Sequence, residues 1–217
     1  MKKKGPEKRS FSFSVRAEHS EEQGHYISGR PIVYEKKTDI GGMFEERICA
    51  GALDEANMDD VRFLVNHDIS KIPLARSKKG NPDSTMQLTT DTEGLSMRVN
   101  LDIENNTEAR ALYSAVRRGD ISGMSFMFGV KKERWEGLES DYPKRYIEAI
   151  STVTEVSAVT FPAYKDTDIT ARNKETLENA RNAVDAARSG EDGLDDGGMP
   201  DKELLLLKEK NRNLGGF

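Results

Sequence analysis

Three residue types in this chain could together carry out nucleophilic acyl transfer, and each lies in or beside an apolar segment. His67 follows Val61-Arg-Phe-Leu-Val65 in the phrase Asn66-His67-Asp68, whereas His19 and His25 belong to a polar N-terminal stretch and its edge. Only His67 is held by a scaffold. An imidazole there can move a proton near neutral pH, or it can simply bond a turn backbone with Asp68 capping the turn. Ser122 and Ser125 stand in Gly119-Asp-Ile-Ser-Gly-Met-Ser-Phe-Met-Phe-Gly129. In β geometry Met124, Phe126 and Phe128 share one face, and Ser125 shares the other with Met127. A serine on the face away from the core could be a nucleophile or an ordinary strand serine. The segment is not a G-x-S-x-G elbow, because Met127 stands where the second glycine would be. Glu155 is set between Val153 and Val156. A carboxylate among β-branched residues is costly unless paired, so Glu155 needs a histidine, an arginine or solvent. Glu148, in Tyr146-Ile-Glu148-Ala-Ile150, is a weaker alternative of the same kind. Serine attack, proton removal by histidine and an orienting acid make up nucleophilic acyl transfer. Spacing alone leaves that assignment open, since most chains of this size contain some Ser, His and Glu.

The elements that must position these residues are strands. From about His25 to Tyr164, short segments with period-two apolar patterning recur between turn signals, as in an all-β barrel or sandwich. Candidate strands are Tyr26–Tyr34, Met43–Ala50, Val61–Val65, Ile72–Arg76, Met86–Thr90, Leu95–Leu101, Ile121–Val130, Arg145–Ser151 and Val153–Phe161. The clearest is Leu95–Leu101, where Leu95, Met97, Val99 and Leu101 alternate with polar residues after the turn Asp91-Thr-Glu-Gly94. Two helices interrupt the strands. Gly51–Met58 is short, and Thr107–Arg118 has a polar start, apolar spacing at Leu112, Ala115 and Val116, and Gly119 as its stop.

Outside this region the texture changes. Residues 1–23 begin with Lys2, Lys3 and Lys4 and read as a loosely held, flexible arm with one short alternation at Phe11, Phe13 and Val15. Lys174–Arg188 predicts a helix with Leu177, Ala180, Val184 and Ala187 on one stripe. An acidic, glycine-rich linker and a second short helix over Asp201–Leu214 follow. The division is an arm over 1–23, a folded domain over 24–170 and a helical C-terminal tail over 171–217.

Composition removes several classes of function. The 217 residues carry 33 Lys and Arg against 38 Asp and Glu, a net charge of −5, which excludes a dedicated nucleic-acid binder. Cys49 is the single cysteine, so no internal disulfide forms, and no Cys/His cluster offers a metal site. No apolar run reaches membrane-spanning length, and the basic start is not followed by an apolar signal region. The sequence is expected to be soluble and unexported, with no cofactor.

Four blocks, in order, resemble the tailed-phage (Caudovirus) prohead serine proteases: Asp39–Leu53, Asp60–Asp68, Ile121–Phe128 and Glu155–Tyr164, over about residues 25–170. The resemblance implies a small closed β-barrel flanked by helices, similar to herpesvirus assemblin. It also implies His67 as general base, Ser125 of Ser-Phe-x-Phe as nucleophile with Ser122 in reserve, and Glu155 as orienting acid. Met127 departs from the glycine common at that place. The activity implied is serine endopeptidase cleavage of a major capsid protein or its scaffold segment, and of the enzyme's own tail. Its place would be inside the immature capsid in the host cytoplasm, with a homodimer as one form in which such sites become competent. An assembly protein that keeps the same barrel without catalysis is the alternative, against which the presence of both His67 and Ser125 argues.

Overall fold

The computed structural model describes residues 6–11, 15–21, 24–160 and 181–189. Among the described residues, eleven strands and the helix α1 follow in chain order, ahead of a helical segment at 181–188: β1 Glu7–Phe11, β2 Arg16–Ser20, β3 Gly24–Val33, β4 Thr38–Ile40, β5 Phe44–Ile48, β6 Asp60–Val65, β7 Ala75–Lys78, β8 Met86–Asp91, β9 Gly94–Asn100, α1 Thr107–Arg118, β10 Gly123–Glu136 and β11 Lys144–Val159. The fold is mainly β, as the alternation predicts.

Two sheets form, and among the described residues neither closes. The larger has seven strands and runs β1-β10-β11-β5-β4, with β6 also paired to β11 and β7 to β6; the smaller runs β2-β3-β9-β8. The expectation of a closed barrel is therefore corrected. Closure requires the last strand to hydrogen-bond the first, and period-two alternation is the same in a barrel and in two layered sheets. The cause lies in the 16-residue β11. Its first part takes β5 in parallel (Lys144 with Glu45) and its second takes β6 in parallel (Glu155 with Arg62), so one edge of β11 serves two strands in succession. Its other edge pairs antiparallel with β10, with register shifts between Met127 and Glu133 that bend the pair.

Apolar faces of both sheets and of α1 meet in one core that includes Ile27, Leu95, Val99, Phe63, Phe126, Val156 and Leu112. Asn106 caps α1 by accepting from the backbone N–H groups of Glu108 and Ala109 at 3.0 and 3.1 Å. Gly119, at φ 82°, ends it in the left-handed conformation, and Asp120 N–H donates to Ala115 O at 2.9 Å. The chain leaves this cap and enters β10 within a few residues.

Three expectations change. Gly51–Met58 is turn rather than helix, closed by short-range backbone bonds such as Ala56 N–H to Leu53 O at 3.0 Å. The N-terminal stretch read as a flexible arm contributes β1, paired to β10, and β2, paired to β3. Of the helical tail, the described residues contain helix only at 181–188, where Val184 packs with Ile40 and Phe44. The expected helix over Asp201–Leu214 lies outside the described residues.

Candidate active site

His67, Ser125 and Glu155 come together where β6 ends against β10 and β11. β6 buries Val61, Phe63 and Leu64 and stops at Val65. Asn66 and His67 then both adopt positive φ, 53° and 57°. Left-handed backbone costs about 1–3 kcal/mol at a non-glycine residue, so something must hold it. Asn66 does so: its backbone N–H donates to Ala158 O at 2.9 Å, its Nδ2 donates to Thr160 Oγ1 at 3.1 Å, and its Oδ1 accepts from Thr160 N–H at 3.0 Å. The effect is to fasten the turn to the end of β11 and fold the imidazole back over the sheet.

Ser125, on β10, lies directly opposite Ser157 on β11, and Glu155 is two residues along on the same face. Ser125 Oγ is 2.5 Å from His67 Nε2. The other ring nitrogen, Nδ1, is hydrogen-bonded to Glu155 Oε1. Glu155 is 3% exposed, and its second oxygen accepts from Ser157 Oγ at 2.6 Å. Ser157 Oγ in turn accepts from the His67 backbone N–H at 3.2 Å. Both carboxylate oxygens of this buried acid thus have donors, as burial demands. With Nδ1–H donated to a carboxylate, Nε2 presents a lone pair, which is the tautomer able to take a proton from Ser125.

A second acceptor competes for that proton. Ser125 Oγ is 2.8 Å from the backbone carbonyl of Arg9 on β1, and Ser125 is fully buried. A hydroxyl has one hydrogen to donate, so it serves either Nε2 or the Arg9 carbonyl.

The remaining candidates lie elsewhere. Ser122 is exposed ahead of β10. Glu148 pairs with Lys132 at 2.9 Å and Arg134 at 3.1 Å, which holds its carboxyl below the ordinary range. Asp68 accepts from Ser70 N–H at 3.0 Å, capping its own turn. Met127 is buried opposite Glu155, next to a register shift. Sequence reasoning missed Ser157, whose only signal was its place two residues from Glu155. It also missed a buried ionic cluster. Arg9 and Arg145 are 2% and 0% exposed and are held by Glu7, Glu46 and Glu133, with Arg9 Nε 2.5 Å from Glu46 Oε1 and Arg145 Nη1 2.6 Å from Glu7 Oε2. No group of three or more potential metal ligands occurs among the described residues, nor is any helix there long and apolar enough to cross a membrane.

A histidine between a buried carboxylate and a serine on an adjoining strand is the arrangement of a serine hydrolase. Comparison with protein families matches residues 11–182 to the Caudovirus prohead serine proteases, and the chain belongs to that family. Among solved structures it is similar to the capsid assembly protease gp21 of bacteriophage T4, at 14% identity and a TM-score of 0.37, over 70% of this chain and 98% of that one. No curated protein matches.

Proposed function

We propose that this protein is a serine endopeptidase in which Ser125 attacks, His67 transfers the proton and Glu155 orients the imidazole. The observation that carries this reading is the line Ser125 Oγ, His67 Nε2, His67 Nδ1, Glu155 Oε1, each joined to the next within one side-chain network. Ser125 Oγ adds to the substrate carbonyl carbon while its proton passes to Nε2. The imidazolium so formed is stabilised across Nδ1–H by the Glu155 carboxylate, which Ser157 keeps in place. When the C–N bond breaks, the Nε2 proton goes to the leaving amine. Water then attacks the ester on Ser125, His67 takes its proton and returns it to Oγ, and both halves of the substrate are released.

Membership of the prohead protease family supports segments of a capsid or scaffold protein, and of the enzyme itself, as substrates, met inside the immature capsid in the host cytoplasm. A removable tail and a homodimeric active form belong to the same proposal. The test is a fluorophosphonate probe followed by intact-mass measurement and peptide mapping. An adduct on Ser125 that is absent from Ser125→Ala and from His67→Ala is expected. No adduct on prolonged exposure would overturn the reading and leave the noncatalytic assembly protein.

A further inference from the structure

We propose that β1 occupies the substrate groove, and that Glu46 makes the enzyme select an arginine at the residue whose carbonyl Ser125 attacks. This rests on the serine-protease reading above.

The argument begins with edges. A protease holds its substrate extended, and an extended peptide binds most readily by adding a strand to a sheet. The strand that carries Ser125 has two edges. One is filled by β11, and β1 lies on the other, with Ser10 opposite Ser125 and Arg9 opposite Phe126. β1 therefore takes the place where a substrate strand would pair beside the nucleophile. It also delivers a carbonyl there, that of Arg9, which accepts from Ser125 Oγ at 2.8 Å. While the hydroxyl hydrogen points at this oxygen it is not given to His67, and Oγ addresses the carbonyl oxygen rather than the carbon. β1 is thus held against the nucleophile without being attacked.

Charge then says what the groove reads. The guanidinium of Arg9 meets Glu46 twice, Nε to Oε1 at 2.5 Å and Nη2 to Oε2 at 2.8 Å. Two residues earlier, Glu7 meets Arg145, with Nη2 to Oε1 at 2.7 Å. With β1 removed, Glu46, which is 1% exposed, keeps its contact with Arg145 at 2.9 Å and loses both bonds from Arg9. A buried carboxylate that loses two charged donors is costly, so the empty groove favours a guanidinium where Arg9 sits and disfavours a neutral or acidic residue. Arg145 adds a preference for a carboxylate two residues before it. The substrate class is an extended segment of the pattern acid-x-Arg, cut after the arginine, which must displace β1 to bind. The chain's own Glu7-Lys-Arg-Ser10 is a built-in copy.

The experiment compares fluorophosphonate labelling of full-length wild type with Phe11→Pro, which removes the N–H that β1 turns toward β10 opposite Met124 and disturbs the pairing without replacing a member of the ionic cluster. Arg9→Ala serves as a second variant, and circular dichroism checks that each is folded. Labelling of Ser125 is expected to speed up at least about tenfold in both. A synthetic peptide with the sequence of residues 5–14 should slow labelling of Phe11→Pro again, or be cut between its arginine and serine. The same peptide with glutamate in place of arginine should do neither, and Glu46→Gln should erase the difference between the two peptides. Equal labelling rates in wild type and both variants would overturn occupancy by β1. Equal action of the two peptides would overturn selection by Glu46. If no protein in the set forms an adduct on Ser125, the protease reading itself has failed.

Discussion

Glu155→Gln discriminates between orientation and simple charge at the candidate site. The wild-type carboxylate accepts from two donors, His67 Nδ1–H on one oxygen and Ser157 Oγ–H on the other. A glutamine has one acceptor and one donor, so it can face these partners in two ways. With its carbonyl toward His67, the productive tautomer survives, but its NH2 then faces Ser157 Oγ, which already accepts from His67 N–H. The Ser157 hydrogen is left without an acceptor in a buried site, a cost of about 1–3 kcal/mol. With its NH2 toward His67, every bond is satisfied: Ser157 donates to the glutamine carbonyl, the NH2 donates to Nδ1, Nε2–H donates to Ser125, and Ser125 donates to Arg9 O. The satisfied arrangement carries the wrong tautomer, so Nε2 cannot take a proton. The expected outcome is an almost unchanged urea midpoint and a fluorophosphonate rate reduced by roughly 10³–10⁴, or about 4–5.5 kcal/mol of barrier. Adding Ser157→Ala removes the hydroxyl that favours the wrong arrangement. The double variant should therefore label faster than Glu155→Gln alone, by about 5- to 150-fold given the roughly 1–3 kcal/mol at stake. Glu155→Gln within tenfold of wild type, or a double variant slower than the single one, would refute the reasoning.

Other perturbations test the scaffold. Gly94 has φ +135°, and a Cβ there would lie 2.1 Å from Ile32 O, so Gly94→Ala should cost at least about 3 kcal/mol in urea unfolding; a loss below 1 kcal/mol would mean that the β8–β9 turn can rebuild. Arg145→Met leaves Glu46, Glu7 and Glu133 facing Arg9 alone and should destabilise by about 3–5 kcal/mol in the same assay. Burial pushes the Glu7 carboxyl up, but Arg145 and Arg9 more than offset this and hold it at about 2. A depressed pKa stabilises the fold fully above the ordinary value of 4.5 and loses that effect as pH falls toward about 2. The urea-stability gap between wild type and Glu7→Gln should therefore close across that window, and a gap unchanged at its lower end would refute the pairing.

What the sequence makes legible depends on whether the relevant interaction is local. The alternation of Leu95, Met97, Val99 and Leu101 records one buried and one wet face of β9, and all four are buried. Thr107–Arg118 carries its own cap residues and stop, so its bounds could be read directly. His67, Ser125 and Glu155 stood out as polar residues in or beside apolar strands, but the contact between them depends on β6, β10 and β11 being neighbours. Alternation carries no information about which strands pair, and for the same reason it could not tell a closed barrel from two open sheets.

The N-terminal strand was misread because charge ordinarily marks a solvated surface. In Glu7-Lys-Arg-Ser10 nothing nearby in the chain offers counter-charges; they come from Glu46 and Arg145, 37 residues beyond Arg9 and 138 beyond Glu7. Burying Glu7 and Arg9 is tolerable only because these distant residues meet them together, and each partner alone would be an uncompensated charge. The segment's order is thus conditional on the cluster being complete. A strand held mainly by ion pairs and one row of backbone bonds can be displaced by another segment that supplies the same charges at the same spacing. The feature that hid β1 from sequence reasoning is the one that makes it exchangeable with a substrate.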